Sequence, residues 1–177
     1  DIITIAKGLT SAYAPLSGSI VSDDMFKVLE EGTDKFGPVG HGWTYSAHPI
    51  GAAAGVANLK LVDDLGLVQN ARDTGAYFHN ALHERLGQHR FVGDLRGEGL
   101  MAAVELQRDP DAGTDFDPAD KITAQVVGAM GKHGVIARAM PQGEIIGFAP
   151  PLCITPAEID KVVDVTVQAL EEATGAL

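Results

Sequence analysis

The sequence predicts an α/β protein in two parts, on three observations. Short β-patterned runs bounded by glycine and proline alternate with long helical stretches. The residue pattern changes character near position 86. Both sides of that point contain strands as well as helices. The expected division is the end of a larger α/β domain over 1–60, a connecting helix over 61–86, and a small α+β domain over 87–177.

The elements follow from local chemistry. Ile2-Ile3-Thr4-Ile5-Ala6 reads as a short buried strand, and Gly18-Ser19-Ile20-Val21-Ser22 as a second. A small-residue loop with Pro15 separates them. Asp23-Asp24 offers an N-cap for a helix through Met25, Phe26, Val28 and Leu29. Residues 32–49, GTDKFGPVGHGWTYSAHP, carry neither helical nor strand periodicity and read as a long functional loop. Helices are expected over 50–64 and 67–86, the second with Leu67, Val68, Ala71, Tyr77, Phe78, Ala81, Leu82 and Leu86 on roughly one face. Two strands, 91–95 and 100–106, are joined by Arg96-Gly97-Glu98-Gly99. A polar turn-rich loop leads to a helix from Pro118, with Asp117 as its N-cap, ending near Gly131 or Gly134. Strands follow at 135–138 and 144–148. Thr155-Pro156-Ala157-Glu158 is a capping box that opens the last helix.

Composition narrows the function. With 13 basic and 24 acidic residues the net charge is −11, which argues against nucleic acid or an anionic membrane as partner. No apolar run is long enough to span a bilayer and no signal peptide is visible. Cys153 is the single cysteine and has no internal disulfide partner, which suits a reducing cytoplasm. The chain opens inside a strand pattern without an initiator Met, so its start reads as a cut.

Lys7 is the first candidate for chemistry. Two readings fit it: a surface lysine just past a strand end, or a Schiff-base lysine whose apolar, small-residue surround eases loss of the proton. The glycine-rich loop containing Thr44 also has two readings, an ordinary surface loop or a cradle of backbone N–H groups and a hydroxyl for phosphate. Arg138, after Val135-Ile136-Ala137, is either a strand-edge arginine or a guanidinium waiting for a carboxylate. His79 and His83, four apart, lack a third ligand and read as surface histidines. RGEGLM lacks the third glycine of a nucleotide loop and reads as a tight turn.

AKGLTSAYAPLSGSIVSD, HGWTYSAHP, VGDLRGEGLMAAVEL and GFAPPLCIT occur in this order, and together they span nearly all 177 residues. The chain thereby resembles the C-terminal portion of class III pyridoxal-phosphate aminotransferases of the ω-amino acid:pyruvate type. The resemblance implies a fold-type I architecture, a pyridoxal 5'-phosphate cofactor, and a homodimer with active sites at the subunit interface. It implies that Lys7 binds the cofactor covalently and shuttles protons, that Thr44 binds the cofactor phosphate of the partner subunit, and that Arg138 is a mobile ligand for substrate carboxylate. Small-molecule amines and keto acids are the implied substrates, in the cytoplasm, with no metal. Ornithine- and GABA-type relatives carry their carboxylate-binding arginine in I-R-F-A-P-P; here that position is Gly147, which favours the ω-amino acid, β-alanine, taurine or amine:pyruvate branch. Diaminopelargonate-type transfer remains an alternative, as does a non-catalytic C-terminal dimerisation fragment. The family's glycine-rich phosphate loop, ring-stacking aromatic and pyridine-nitrogen aspartate all precede the lysine. None is found here, so an N-terminal portion of the same enzyme is an expected partner.

Overall fold

In a computed structural model that describes residues 1–175, the chain divides into two units, Asp1–Gly66 and Leu67–Leu177. The division between the units lies after Gly66. Of the segment 61–86, residues 61–66 belong to the first unit and 67–86 to the second.

In the first unit, β1 (Ile2–Ile5) and β2 (Gly18–Val21) form an antiparallel pair in the register Ile2↔Val21 to Ile5↔Gly18. Between them runs a 3-10 turn, Lys7–Thr10. The expectation of a buried strand is overturned: the two strands pair only with each other, and Ile2, Ile3 and Ile20 are exposed. Helix α1 (Asp23–Phe36) is capped by Ser22, whose hydroxyl accepts from the Met25 N–H, while Asp23 and Asp24 occupy the first turn. It continues five residues into the segment expected to be loop. Thr33 hydrogen-bonds back to the Leu29 carbonyl, and only Gly37, at φ +86°, turns the chain away. Residues 37–48 carry no helix or strand, and α2 (Pro49–Asp64) then starts with proline at its first position.

The second unit is a four-stranded antiparallel sheet with helices packed on one face. Its order is β3-β4-β6-β5, from β3 (Val92–Glu98), β4 (Met101–Leu106), β5 (Arg138–Ala139) and β6 (Ile145–Phe148). The helices are α3 (Leu67–Leu86), α4 (Ile122–Lys132) and α5 (Pro156–Thr174). Phe78, Leu82 and Leu86 of α3 are fully buried with Val104, Ile146, Val126, Met130, Ile159 and Leu170, so each element contributes its apolar stripe to one core. Tyr77 and Arg85 tie α3 to α5 through Asp160 and Asp164. The Asp160 carboxylate that accepts from Tyr77 raises the phenol pKa above its ordinary value. The capping box at Thr155 is present in full, and the Thr155 N–H and hydroxyl that donate to Glu158 hold that carboxyl below its ordinary value.

Three expectations in this unit are corrected. The turn between β3 and β4 is Gly99-Leu100, not residues 96–99, because the pairing Arg96↔Ala103 to Glu98↔Met101 keeps Arg96 within the strand. Helix α4 starts at Ile122. Asp117 instead closes a separate turn, accepting from the Ala119 N–H, and Lys121 at φ +49° breaks the helical path. The α4 N-terminus is capped from the β5–β6 hairpin: Glu144 Oε2 accepts from the Thr123 N–H at 2.5 Å. Residues 135–137 are not strand, so β5 is two residues long, at the sheet edge.

Helix α3 lies on the β3–β4 turn with almost no space between backbones. A Cβ at Gly75 would come within 2.4 Å of the Gly99 carbonyl carbon and oxygen. His79, expected at the surface, is half-buried there and donates from Nε2 to the Gly99 carbonyl at 3.0 Å. Alanine is the better helix former by about 1 kcal/mol, but a contact this close with rigid backbone costs more, in the range of about 1–3 kcal/mol or above. Gly75→Ala should therefore lower the urea midpoint of this unit, by a net loss of about 1–2 kcal/mol. An unchanged or raised midpoint would show that the helix shifts away freely.

Candidate active site

Lys7 stands where β1 ends. Ala6 is still extended, at φ −167°, and Lys7 then enters the left-handed region at φ +51°. Ser11 and Ala12, at φ +48° and +61°, do the same at the far side of the 3-10 turn. Non-glycine residues held this way cost on the order of 1–3 kcal/mol each, and such strain persists only where surrounding structure enforces it. The chain reverses tightly here: Leu9, Ser11 and Tyr13 donate backbone N–H groups to the carbonyls of Ala6, Gly8 and Thr10. Thr10 is buried, its hydroxyl on the Ala14 carbonyl at 2.6 Å.

Lys7 is exposed and lines a concavity of about 740 Å³. The far wall comes from the glycine-rich segment: Trp43, Tyr45, Ser46 and Ala47. Two sequence motifs separated by some thirty residues thus meet in one site, an amine and small hydroxyl-bearing residues on one side and two aromatic rings on the other. Thr44 is exposed in the turn 44–47 and is not part of this lining, although both its neighbours are.

The turn is secured by a residue that sequence reasoning passed over. Asn58 of α2 donates from Nδ2 to the carbonyls of Gly8 (2.9 Å) and Leu9 (3.2 Å), and its Oδ1 accepts from the Ser11 hydroxyl at 2.8 Å. Gly51, Gly55 and Asn58 recur at helical spacing on one face of α2. Both glycines are buried against the loop that follows the turn. A Cβ at Gly51 would lie 3.3 Å from the Pro15 carbonyl, and one at Gly55 3.1 Å from Leu16 Cδ2. The spacing of two glycines and an asparagine was the available signal, hidden among the alanines of that helix.

Arg138 belongs to the second unit, on the exposed face of the edge strand β5. It has no ion pair or side-chain hydrogen bond among the described residues. It lines a second concavity of about 740 Å³, with Arg96, Ala103 and Gly147 on the same sheet. These four form one row across the strands, Arg96↔Ala103↔Gly147↔Arg138, so their side chains share a face, with the outer two Cα atoms about 14 Å apart. Arg96 is already engaged, donating to Asp94 at 2.6 Å and Glu105 at 2.5 Å. Those hydrogen bonds, Asp94 first, raise its pKa further above the ordinary arginine value. Arg138 is the free cation of the row. Gly147, the position where ornithine- and GABA-type relatives are expected to carry arginine, lies directly opposite it.

Among the described residues no cluster of three or more His, Cys, Asp or Glu is arranged to hold a metal, and no helix is long and apolar enough to cross a membrane. Cys153 is exposed and free.

The mixed α/β fold of this chain is that of solved transaminases. One obtained in a study of directed evolution by ancestral reconstruction is 55% identical, superposes with a TM-score of 0.98, and is matched over all of this chain and 39% of its own. An (S)-enantioselective ω-transaminase from Thermomicrobium roseum is 38% identical with a TM-score of 0.89, over 98% of this chain and 38% of its own. The profile of the Aminotransferase class-III family matches residues 1–170, and the chain belongs to that family. Among curated relatives, the diaminobutyrate–2-oxoglutarate transaminase of Halomonas elongata is 51% identical across the whole chain, and the putrescine–pyruvate aminotransferase of Pseudomonas aeruginosa 31%. The chain spans 38% and 37% of those two proteins.

Proposed function

We propose that the protein to which this chain belongs is a pyridoxal-phosphate-dependent transaminase that moves an amino group from an amine or ω-amino acid to a keto acid such as pyruvate. The observation that carries this reading is the meeting of Lys7 with Trp43, Tyr45 and Ser46 around one concavity. Its volume lies within the range of small-molecule sites. A primary amine, two aromatic rings and the hydroxyls of Ser17 and Ser46 suit a flat, phosphate-bearing aldehyde. No carboxylate lines the concavity, so a partner for the ring nitrogen has to come from the N-terminal portion.

When bound, the cofactor supplies the electron sink that such a transfer needs. Lys7 holds it through Nζ and, once released, moves the proton at the donor carbon. Arg138 binds the carboxylate of the keto acid through charge-assisted hydrogen bonds, for which its unpaired guanidinium is suited. Thr44 donates to the cofactor phosphate of the partner subunit in a homodimer. Its exposure, and its position outside the lining of its own chain's concavity, suit a donor that acts across an interface. The 51% identity to a protein named for diaminobutyrate and 2-oxoglutarate supports a second reading of the substrates: a donor with a terminal amine and a dicarboxylate acceptor. Turnover of 2-oxoglutarate against pyruvate with a common donor decides between the two.

Borohydride reduction of the full-length protein with its cofactor, followed by peptide mapping, tests the central assignment. The label is expected on Lys7, and Lys7→Ala should abolish turnover. A label on Lys27, Lys35 or Lys60 would end the proposal.

Arg138→Ala is expected to damage carboxylate-bearing substrates selectively. A hydrogen bond to a charged group is worth about 1.5–3 kcal/mol, so kcat/KM for the keto acid should fall by roughly 10–150-fold. An amine donor without a carboxylate should lose far less in its own half-reaction. Equal losses would make Arg138 a structural residue.

For Thr44 the informative species is a mixed dimer of Thr44→Ala and Lys7→Ala subunits. One of its sites carries both lesions and the other neither, so activity should exceed that of either parent mutant. Mixed dimers no more active than the parents would place Thr44 outside the partner's site.

A further inference from the structure

We propose that Asn58 is a positioning residue for Lys7: it holds the strained turn from which the lysine projects, without touching the reacting atoms. The inference rests on the assignment of Lys7 given above and deepens it. The turn is bracketed by left-handed residues, Lys7 before it and Ser11 and Ala12 after it. Each relaxes toward the ordinary helical or extended regions if its surroundings allow. What the surroundings supply is one short amide arm. Its two N–H bonds go to consecutive carbonyls of the turn, Gly8 and Leu9, and its oxygen takes the hydroxyl of Ser11. The Leu9 carbonyl lies at the end of the 3-10 turn, where the backbone leaves acceptors free, and the Gly8 carbonyl takes the amide in addition to the Ser11 N–H. Asparagine alone among the short side chains has both a double donor and an acceptor at this reach. The glycines at 51 and 55 bring the α2 backbone close enough for that arm to span the gap. Loss of the amide frees residues 8–12 at once, and with them the direction of the Lys7 side chain.

The test uses the full-length protein with Asn58→Ala, Asn58→Asp and Ser11→Ala. Asn58→Asp keeps the acceptor for Ser11 and loses both donors, so it should behave like Asn58→Ala, whereas Ser11→Ala should be milder. Three readouts are taken: the rate of borohydride-trapped labelling of Lys7, amide hydrogen exchange at Leu9, Ser11 and Tyr13 in the cofactor-free protein, and affinity for pyridoxamine 5'-phosphate. The last forms no bond to Lys7, because an amine stands where pyridoxal phosphate has its aldehyde. Asn58→Ala is expected to slow labelling and speed exchange by about tenfold, the factor that one net hydrogen bond of about 1.4 kcal/mol represents. Pyridoxamine phosphate affinity should change by less than about twofold. Labelling and exchange that stay within twofold of the unmutated protein overturn the proposal. So does a loss of pyridoxamine phosphate affinity in parallel with labelling, which marks a general loosening of the fold. If the unmutated protein labels at another lysine, the assignment of Lys7 fails first, and this inference falls with it. Normal labelling at Lys7 in the Asn58 variants sinks only the present inference.

Discussion

In both units a helix lies against a chain reversal with its backbone in near contact, and the rest of each unit is arranged around that approach. Gly75 of α3 meets Gly99 at the β3–β4 turn, and Gly51 and Gly55 of α2 meet the loop through Pro15 and Leu16. At such distances no side chain fits between the elements, so polar atoms on the helix reach carbonyls of the reversal directly. His79 serves Gly99, and Asn58 serves Gly8 and Leu9. Asn70 repeats the device further along α3, donating to the carbonyls of Leu152 and Ile154 at 2.6 and 3.1 Å. The constraint is steric first and electrostatic second: glycine permits the approach, and the amide or imidazole then donates to carbonyls of the reversal.

The two units differ in how much of their apolar surface they cover. The second closes a core around Phe78, Val104, Ile146 and Leu170 without help. The first leaves Ile2, Ile3, Ile20, Phe26 and Val28 exposed, and α1 has no buried residue at all. Exposed apolar area on this scale is a feature of surfaces that pack against further protein. In a chain that spans 38% of the Halomonas transaminase it matches, the candidate site inherits the same property. Lys7 and the aromatic wall are here, and the acidic group expected to face a cofactor ring is not.

The exposed sheet face of the second unit shows how one position can be exchanged for another. Because Arg138 and Gly147 are cross-strand partners, an arginine at either place presents its guanidinium to the same face. Positions 138 and 147 are, in three dimensions, a step of one strand apart. Arg96 at the far end of the row is held by Asp94 and Glu105, which leaves Arg138 as the cation with bonds to offer. Ala103 and Gly147 between them leave the floor open.

The sequence by itself determined the elements whose signals are local. The helix opened by Thr155 and Glu158, the helices expected over 50–64 and 67–86, the β-patterned runs other than 135–137, and Lys7 and Arg138 as candidates were legible. Caps, periodicity and isolated charges act within a few residues. Tertiary structure decided whatever depended on a partner distant in the chain. The α4 N-terminus begins at Ile122 because Glu144, from another hairpin, accepts the Thr123 N–H, while Asp117, the better local cap, serves a turn of its own. Helix α1 ran past its expected end, and β1 proved exposed, because neither boundary nor burial is set by the residues of one element alone. Asn58 shows in the chain only through its spacing from Gly51 and Gly55, and its bonding role was hidden for the same reason. Its role is defined by carbonyls some fifty positions away, and no periodicity announces a hydrogen bond across that distance.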